Sequence, residues 1–337
     1  MGLTVAVVGA TGAVGERMLK VLAERQLPVD TLKALASSRS VGRTVKYGTE
    51  DIAVEELTES SFEGVDLALF SIPKEMSRRF APAAVKSGCV VVDNSNAFRM
   101  DPDTPLVVPE VNPDAIDGHN GIIANPNCST IQMVVALNPL HKAATIRRVI
   151  VTTFQAVSGA GYKALEELDL QTRAVLEGKE YAGKVFPHRM AFNVLPQIPQ
   201  SDAFVDGGYT SEEMKMVNET RKIMGDDSIM VNPTCVRVPV LVGHSEQVAI
   251  ETERKLSADE ARGILEKAPG IVVMDDTARE EYPLPTNTAD RDETFVGRIR
   301  EDISTANGLN LWVVADNLRK GAATNAVQIA EEWIRRS

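Results

Sequence analysis

The sequence predicts an α/β protein in which a doubly wound parallel sheet is followed by an α+β domain. Three observations lead there. A continuous apolar run at residues 3–8 passes through a glycine-rich turn into an amphipathic stretch. Short apolar runs then recur, some separated by helical segments, as far as residue 126. Beyond Cys128 the runs lengthen and begin to alternate. At 337 residues the chain is long enough for about two domains of roughly 150 residues each.

In chain order, residues 3–8 are expected as a buried strand, and GATGAVGERMLKVLAER as a turn and helix whose Val14, Met18, Leu19 and Leu22 share one face. TLKALAS (31–37), DLALFSI (66–72), CVVVDNS (89–95), PLVVPEV (105–111) and GIIANP (121–126) look like further buried strands, with a helix at 74–87 between two of them. Past Cys128, RRVIVTTFQAVSG and CVRVPVLVGHSEQVAIETE read as long strands, and 161–177 and 211–224 as helices, the second with Ser211 as its N-cap. Alternation over 236–251 suggests a sheet covered by helices on one face. The segment ADNLRKGAATNAVQIAEEWIRR is a terminal amphipathic helix with Ala323, Val327, Ala330 and Ile334 near one stripe, expected to return to the first domain. The expected division is 1–127 with 317–337, and 128–316.

Composition narrows the function classes. Thirty-six Lys and Arg against 47 Asp and Glu give a net charge of -11, which repels nucleic acid and anionic membrane in the absence of a basic run. An anionic ligand must therefore be held by a few specific Arg or Lys side chains. No stretch approaches the ~18 apolar residues of a membrane span, and the N-terminal apolar run lacks a basic flank, so a cytoplasmic protein is expected. Cys89, Cys128 and Cys235 form no CxxC pair, and with four scattered histidines they offer no metal-ligand spacing; reduced thiols and no metal are expected.

Gly9, Gly12 and Gly15 fall between the first strand and helix. There glycines permit a tight turn and close approach of backbone N–H groups to a pyrophosphate at a helix N-terminus, the Rossmann-type arrangement. The second strand runs into Ser37-Ser38-Arg39-Ser40, with no carboxylate to meet ribose hydroxyls and with Arg39 able to meet a 2′-phosphate, so NADP is favoured over NAD. A plain tight turn and a solvated polar loop are the bland alternatives. In NPNCSTIQ, Cys128 stands at the start of an apolar helix. Unpaired N–H groups there favour a thiolate, although a buried small hydrophobe fits as well. Arg237 and His244 lie seven residues apart, on opposite faces of any unbroken strand, and a bend at Gly243 would bring them to one cavity.

GATGAVG, VVDNSNAFRM, PLVVPEVN, NPNCSTIQ, TTFQAVSGAG, AFNVLPQI, EEMKMVNETRKIMG and RVPVLVGHSE occur in the order seen in bacterial aspartate-β-semialdehyde dehydrogenases, and the chain resembles that family from about residue 3 to 330. The resemblance implies NADPH-dependent reduction of L-aspartyl-4-phosphate to L-aspartate 4-semialdehyde and phosphate, in the biosynthesis of lysine, methionine, threonine and isoleucine. It implies Cys128 as the nucleophile that carries a thioester, His244 as acid/base, and Gln155 as the residue orienting substrate. Arg237 would meet the α-carboxylate, Glu213 the ammonium, and Arg99 and Lys215 the phosphate. For the cofactor, Thr11, Gly12, Ala13 and Val14 carry over with Arg39 and Ser40, as do Ser158 and Gly159 near the nicotinamide and Asn317 before the last helix. The resemblance further implies a catalytic and dimerisation role for the second domain, and a homodimer or dimer of dimers. One stretch departs: where an FSxGGS-like loop is expected, the chain has Ile72-Pro73-Lys74, and Pro73 removes a backbone donor. The rivals are an N-acetyl-glutamyl-phosphate reductase, which shares the cysteine and histidine logic, and a non-catalytic NADP-binding homologue.

Overall fold

Every side chain of β1 (Leu3–Val8) from Val5 onward is fully buried, which is what a central parallel strand requires. The computed structural model describes residues 2–337, and the chain forms two compact units. The first runs to Asn127 and resumes at Gly321–Ser337; the second is Cys128–Lys320. The return therefore lies beyond the expected residue 317, and Asn317 belongs to the second unit.

The first unit continues with α1 (Ala13–Glu24), β2 (Val29–Ala36), β3 (Thr44–Tyr47), β4 (Glu50–Glu56), β5 (Leu67–Phe70), α2 (Lys74–Lys86), β6 (Val90–Asp93) and β7 (Ile122–Ala124). The sheet order is β3-β4-β2-β1-β5-β6-β7, parallel throughout except for β3 against β4. Alternate residues of β1 enter different cores, as a doubly wound sheet demands. Val5 and Val7 pack with Met18, Leu19 and Leu22 of α1, whereas Ala6 and Val8 pack with Phe80, Ala81 and Ala84 from α2.

PLVVPEV is not a strand. Leu106 makes a single bridge to Ala124, and Pro105 and Pro109 at either side lack the N–H groups that would extend the ladder. The β3–β4 hairpin carries no expectation from sequence, because only Val45 and Val54 of its two strands are buried, with Tyr47 and Ile52 half-buried and the rest exposed.

The second unit contains α3 (Cys128–Ala144), β8 (Ile146–Gln155), α4 (Tyr162–Leu176), α5 (Ser211–Met224), β9 (Met230–Arg237), β10 (His244–Thr252), α6 (Ala258–Leu265), β11 (Ile271–Val273), α7 (Pro285–Thr288), β12 (Thr294–Glu301) and β13 (Gly308–Ala315). Its mixed sheet has the order β11-β12-β13-β10-β8-β9. Met133, Ala136, Leu137 and Leu140 of α3 pack with Val149, Val151, Val248 and Ile250 on one face. On the other, Phe154 and Trp312 pair at 5.7 Å between ring centroids. The run at 235–253 is two strands rather than one: Pro239 interrupts it, and Gly243, at φ +97 with no room for a Cβ beside Pro285, turns the chain into β10. The terminal helix likewise does not begin at residue 315. A π-helical turn, Arg319–Ala323, precedes α8 (Thr324–Arg336). Val327 and Ala330 of α8 join the α1 side of the first core, with Ile334 half-buried against it. Among the described residues no helix is long and apolar enough to cross a membrane.

Candidate active site

Cys128 is the first residue of α3, half-buried, and the helix behind it is buried without interruption from Ser129 to Asn138. A helix apolar on all sides must run through the core, which fixes its N-terminus at one end of the sheet. Side chains pin it there. Gln155 at the end of β8 donates to Ser129 Oγ, and Gln132 Nε2 donates to the His244 carbonyl oxygen at 3.3 Å.

Register assembles the rest. Gln155 pairs with Arg237 across β8 and β9, and Ser245 pairs with Phe154 across β10 and β8. His244, Gln155 and Arg237 thus stand level on three adjacent strands and, by the two-residue period, on the same face. The seven-residue spacing did not separate Arg237 from His244, because they lie on different strands. The main chain of one residue holds both: the Ala156 N–H donates to His244 Nδ1 at 3.0 Å, and the Ala156 carbonyl accepts from Arg237 Nη1 at 2.8 Å. With Nδ1 accepting, the proton of the neutral imidazole is on Nε2.

Burial, followed by the neighbouring Arg237 charge, pushes the His244 imidazole down to about 3, with Glu212 opposing. Burial also lowers the Arg237 guanidinium; Glu212 works against that, as would a thiolate at Cys128. Cys128 sulfur therefore lies in the field of both the α3 N-terminus and Arg237, and that field favours negative charge on it. His244 Nε2 and Arg237 Nε are buried without hydrogen-bond partners. Gly159 covers them closely: a Cβ there would stand 3.1 Å from Arg237 Nη1 and 3.5 Å from His244 Nε2. Ser158 Oγ bonds Asn317, and Asn317 Oδ1 accepts from the Gly243 N–H at 2.9 Å, tying this turn to the bend before His244.

α5 corrects one expectation. Its N-cap is Thr210, not Ser211, in a capping box with Glu213. Glu213 accepts from the Thr210 N–H at 2.6 Å and from the Cys235 N–H at 2.9 Å, so its carboxylate closes backbone donors rather than facing a ligand. The neighbouring carboxylate does face the site: Glu212 accepts from Gln155 Nε2 at 3.3 Å and from Lys215 Nζ at 2.9 Å. Thr210-Ser-Glu-Glu213 carries the capping-box spacing in the sequence itself, so the distinction was there to be found. Ala156, acting through its main chain, leaves no such signal.

The remaining candidates lie in the first unit. Gly9, at φ +87, sits so close to Ser71 that a Cβ would come within 2.2 Å of its carbonyl oxygen, and a Cβ on Gly15 would come within 2.1 Å of Gly9 O. Gly12 precedes α1, and Ala13 and Val14 form its first turn beneath the uncapped N–H groups. Above them opens a cleft of about 890 Å³, bordered by Thr11, Ser37 and Arg39 on one side and by Ile72 and Pro73 on the other. Its size falls within the usual range for small-molecule sites. Ser40 is buried with its Oγ 3.3 Å from Thr11 Oγ1. Glu59, also at the rim, is paired with Arg79 at 3.2 Å. Arg99 is buried, its Nε donating to Asn125 O and its Nη2 to Asn94 O, each at 2.9 Å. Within this unit it braces the segment leading to Asn127.

Two family models match the chain: semialdehyde dehydrogenase, NAD binding domain, over residues 4–119, and semialdehyde dehydrogenase, dimerisation domain, over residues 137–320. The aspartate-semialdehyde dehydrogenase of Aquifex aeolicus is 56% identical over 335 residues, 98% of either chain. Among solved structures, aspartate semialdehyde dehydrogenase II from Vibrio cholerae, complexed with ASA, is 51% identical with a TM-score of 0.96 over 99% of both chains. The Candida albicans aspartate semialdehyde dehydrogenase with NADP is 26% identical, with a TM-score of 0.75 over 98% of both.

Proposed function

The chain belongs to the aspartate-semialdehyde dehydrogenase family, and from that premise we propose how its residues carry out the family reaction. The activity is that of an aspartate-semialdehyde dehydrogenase, an oxidoreductase of aspartate-family amino-acid biosynthesis. The observation that carries the residue roles is the single row of His244, Gln155 and Arg237 beside the α3 N-terminus that bears Cys128.

Cys128 sulfur attacks the acyl carbon of L-aspartyl-4-phosphate. A carbon–sulfur bond forms, the bond to the phosphate oxygen breaks, and phosphate departs with one proton. Gly9, Gly12 and Gly15 would hold NADPH, and that cofactor would supply the hydride needed to reduce the thioester. Collapse of the tetrahedral alkoxide releases the aldehyde and restores the thiolate. The α3 N–H groups stabilise negative charge at this centre. Arg237 pairs with the α-carboxylate through donors that include its unpartnered Nε. Glu212, rather than Glu213, meets the ammonium, and Lys215 meets phosphate.

His244 manages protons through Nε2 alone, because Nδ1 is tied to the Ala156 amide. The positive charge of Arg237 helps hold the empty-site imidazole neutral. A substrate carboxylate on Arg237 offsets that repulsion, so the imidazole gains proton affinity when the site is loaded. This makes His244 an acid/base group of the complex rather than of the free enzyme.

NADP is the cofactor this cleft favours: Ser37–Ser40 offers no carboxylate, Arg39 borders it, and Glu59 is neutralised by Arg79. The second unit makes a homodimer through the sheet face that carries Phe154 and Trp312. The test follows NADPH formation from L-aspartate semialdehyde, phosphate and NADP+, with Cys128→Ala and N-acetyl-glutamate semialdehyde in parallel. Phosphate-dependent turnover of the aspartyl substrate alone, lost in the variant, is expected. Turnover undiminished in Cys128→Ala would end the covalent mechanism.

A further inference from the structure

Two residues along β10 from His244 lies a carboxyl that the reaction leaves unused. Glu246 is fully buried. It pairs with Thr153 on β8, and Thr153 pairs in turn with Cys235 on β9. Glu246, Thr153 and Cys235 are therefore the next row on the same face, directly beneath His244, Gln155 and Arg237. Neither Glu246 oxygen closes a hydrogen bond. Burial holds this acid well above the ordinary carboxyl range, the Gln132 amide being the group that opposes it. Burial thus favours the protonated carboxyl, which can donate a hydrogen bond.

Gln132, from α3, links the two rows. Its Nε2 donates to the His244 main-chain oxygen at 3.3 Å, while its own Oε1 is buried without a partner. A Glu246 O–H directed to that Oε1 would fix the amide in the orientation that serves His244. The groups that face Glu246 are Gln132 from α3, Thr153 from β8, Val313 from β13 and His244 along its own strand, with the Cys235 thiol one strand further.

We propose that Glu246 is a positioning residue for this reaction: it orients the Gln132 amide, which holds the His244 main chain and so sets where Nε2 stands. The proposal rests on the role given to His244 above. Where a polar partner holds a catalytic group, a misplacement of about 1 Å costs up to ~100-fold in turnover.

The experiment measures kcat and KM for L-aspartate semialdehyde from pH 6 to 10 in the native enzyme and in Glu246→Gln, Glu246→Leu and Gln132→Met. It also records the ¹⁵N shifts of the His244 imidazole in the unliganded proteins. Glu246→Gln, which keeps a donor, should retain kcat within about threefold. Glu246→Leu should lose at least ~10-fold in kcat with little change in KM. Gln132→Met should match that loss, and the double variant should be no worse than either single one. The native enzyme should lose kcat on the alkaline side as Glu246 ionises, and Glu246→Gln should not. Native kcat in Glu246→Leu, or multiplied losses in the double variant, would overturn the proposal. If Glu246→Leu does not fold, an alkaline limb unchanged by Glu246→Gln overturns it alone. Failure of the native enzyme to turn over the semialdehyde would instead count against the assigned reaction, and the His244 shifts would still report on Glu246.

Discussion

Replacing His244 with Asn should make the protein less sensitive to acid even as it abolishes efficient turnover. The side-chain carbonyl of Asn can still accept from the Ala156 N–H, but it cannot be protonated in the accessible range. In the native site the imidazole is held at about 3 against 6.5 when free. Between those values the unfolded chain binds a proton that the folded chain refuses, so native stability falls as pH drops from 6.5 towards 3 and is unaffected above 7. At ~1.36 kcal/mol per pH unit, about 2–3 kcal/mol is lost by pH 4.5 and roughly 5 over the whole interval. That is a substantial share of a typical domain stability of ~5–15 kcal/mol. The assay is urea unfolding at pH 7.5, 6.5, 5.5 and 4.5, followed by Trp312 fluorescence in a Trp333→Phe background. The native protein should lose ground to His244→Asn at each step below 6.5. Parallel pH profiles for the two proteins would refute the reasoning, because every other titrating group is common to both.

Five further outcomes follow from the geometry. Cys128→Ser should fold normally yet lose at least ~10³-fold in kcat, measured by NADPH formation under saturating phosphate. Glu212→Gln should raise the KM for semialdehyde about tenfold or more with little change in melting temperature. Glu213→Gln should instead cost ~1 kcal/mol in a melting experiment and spare KM, since its carboxylate caps α5 and meets the Cys235 N–H. Gly9→Ala should destabilise the first unit by ~1–3 kcal/mol and weaken NADP binding by calorimetry, because its backbone and the Ser71 carbonyl leave no place for a methyl. Glu246→Gln should be more stable than native at neutral pH, and the two should converge as pH falls below the ordinary carboxyl value, where the unfolded native chain also keeps its proton.

What the sequence made legible is what depends on local pattern. The β1–Gly9–α1 passage, the helices 74–87 and 211–224, and Cys128 at the head of an apolar helix all follow from periodicity and turn chemistry over short windows. The distinction between Glu212 and Glu213 was also local, but two overlapping motifs competed for adjacent carboxylates. Read as cap and helix, Thr210 claims Glu213 and leaves Glu212 three residues from Lys215. The juxtaposition of Arg237 with His244 depends on the strand break at 238–243 and on β8 lying between β9 and β10, and no spacing rule contains that. PLVVPEV shows the opposite failure: its apolar character was real, since Leu106, Val107 and Val108 are buried, but its prolines deny it a ladder.

The discontinuity of the first unit has a consequence for the order of assembly during synthesis. Its α1-side core contains Ala323, Val327 and Ala330 from beyond residue 320, and Arg25 grips Glu331 through two hydrogen bonds of 2.7 and 2.6 Å. Residues 2–127 emerge from the ribosome with their glycine turn in place but with the apolar surface of α1 uncovered. The second unit, made of one unbroken segment, can close first. The first unit is completed only once residues 321–337 have been made, so a chain released before them would display an exposed apolar face where α8 packs.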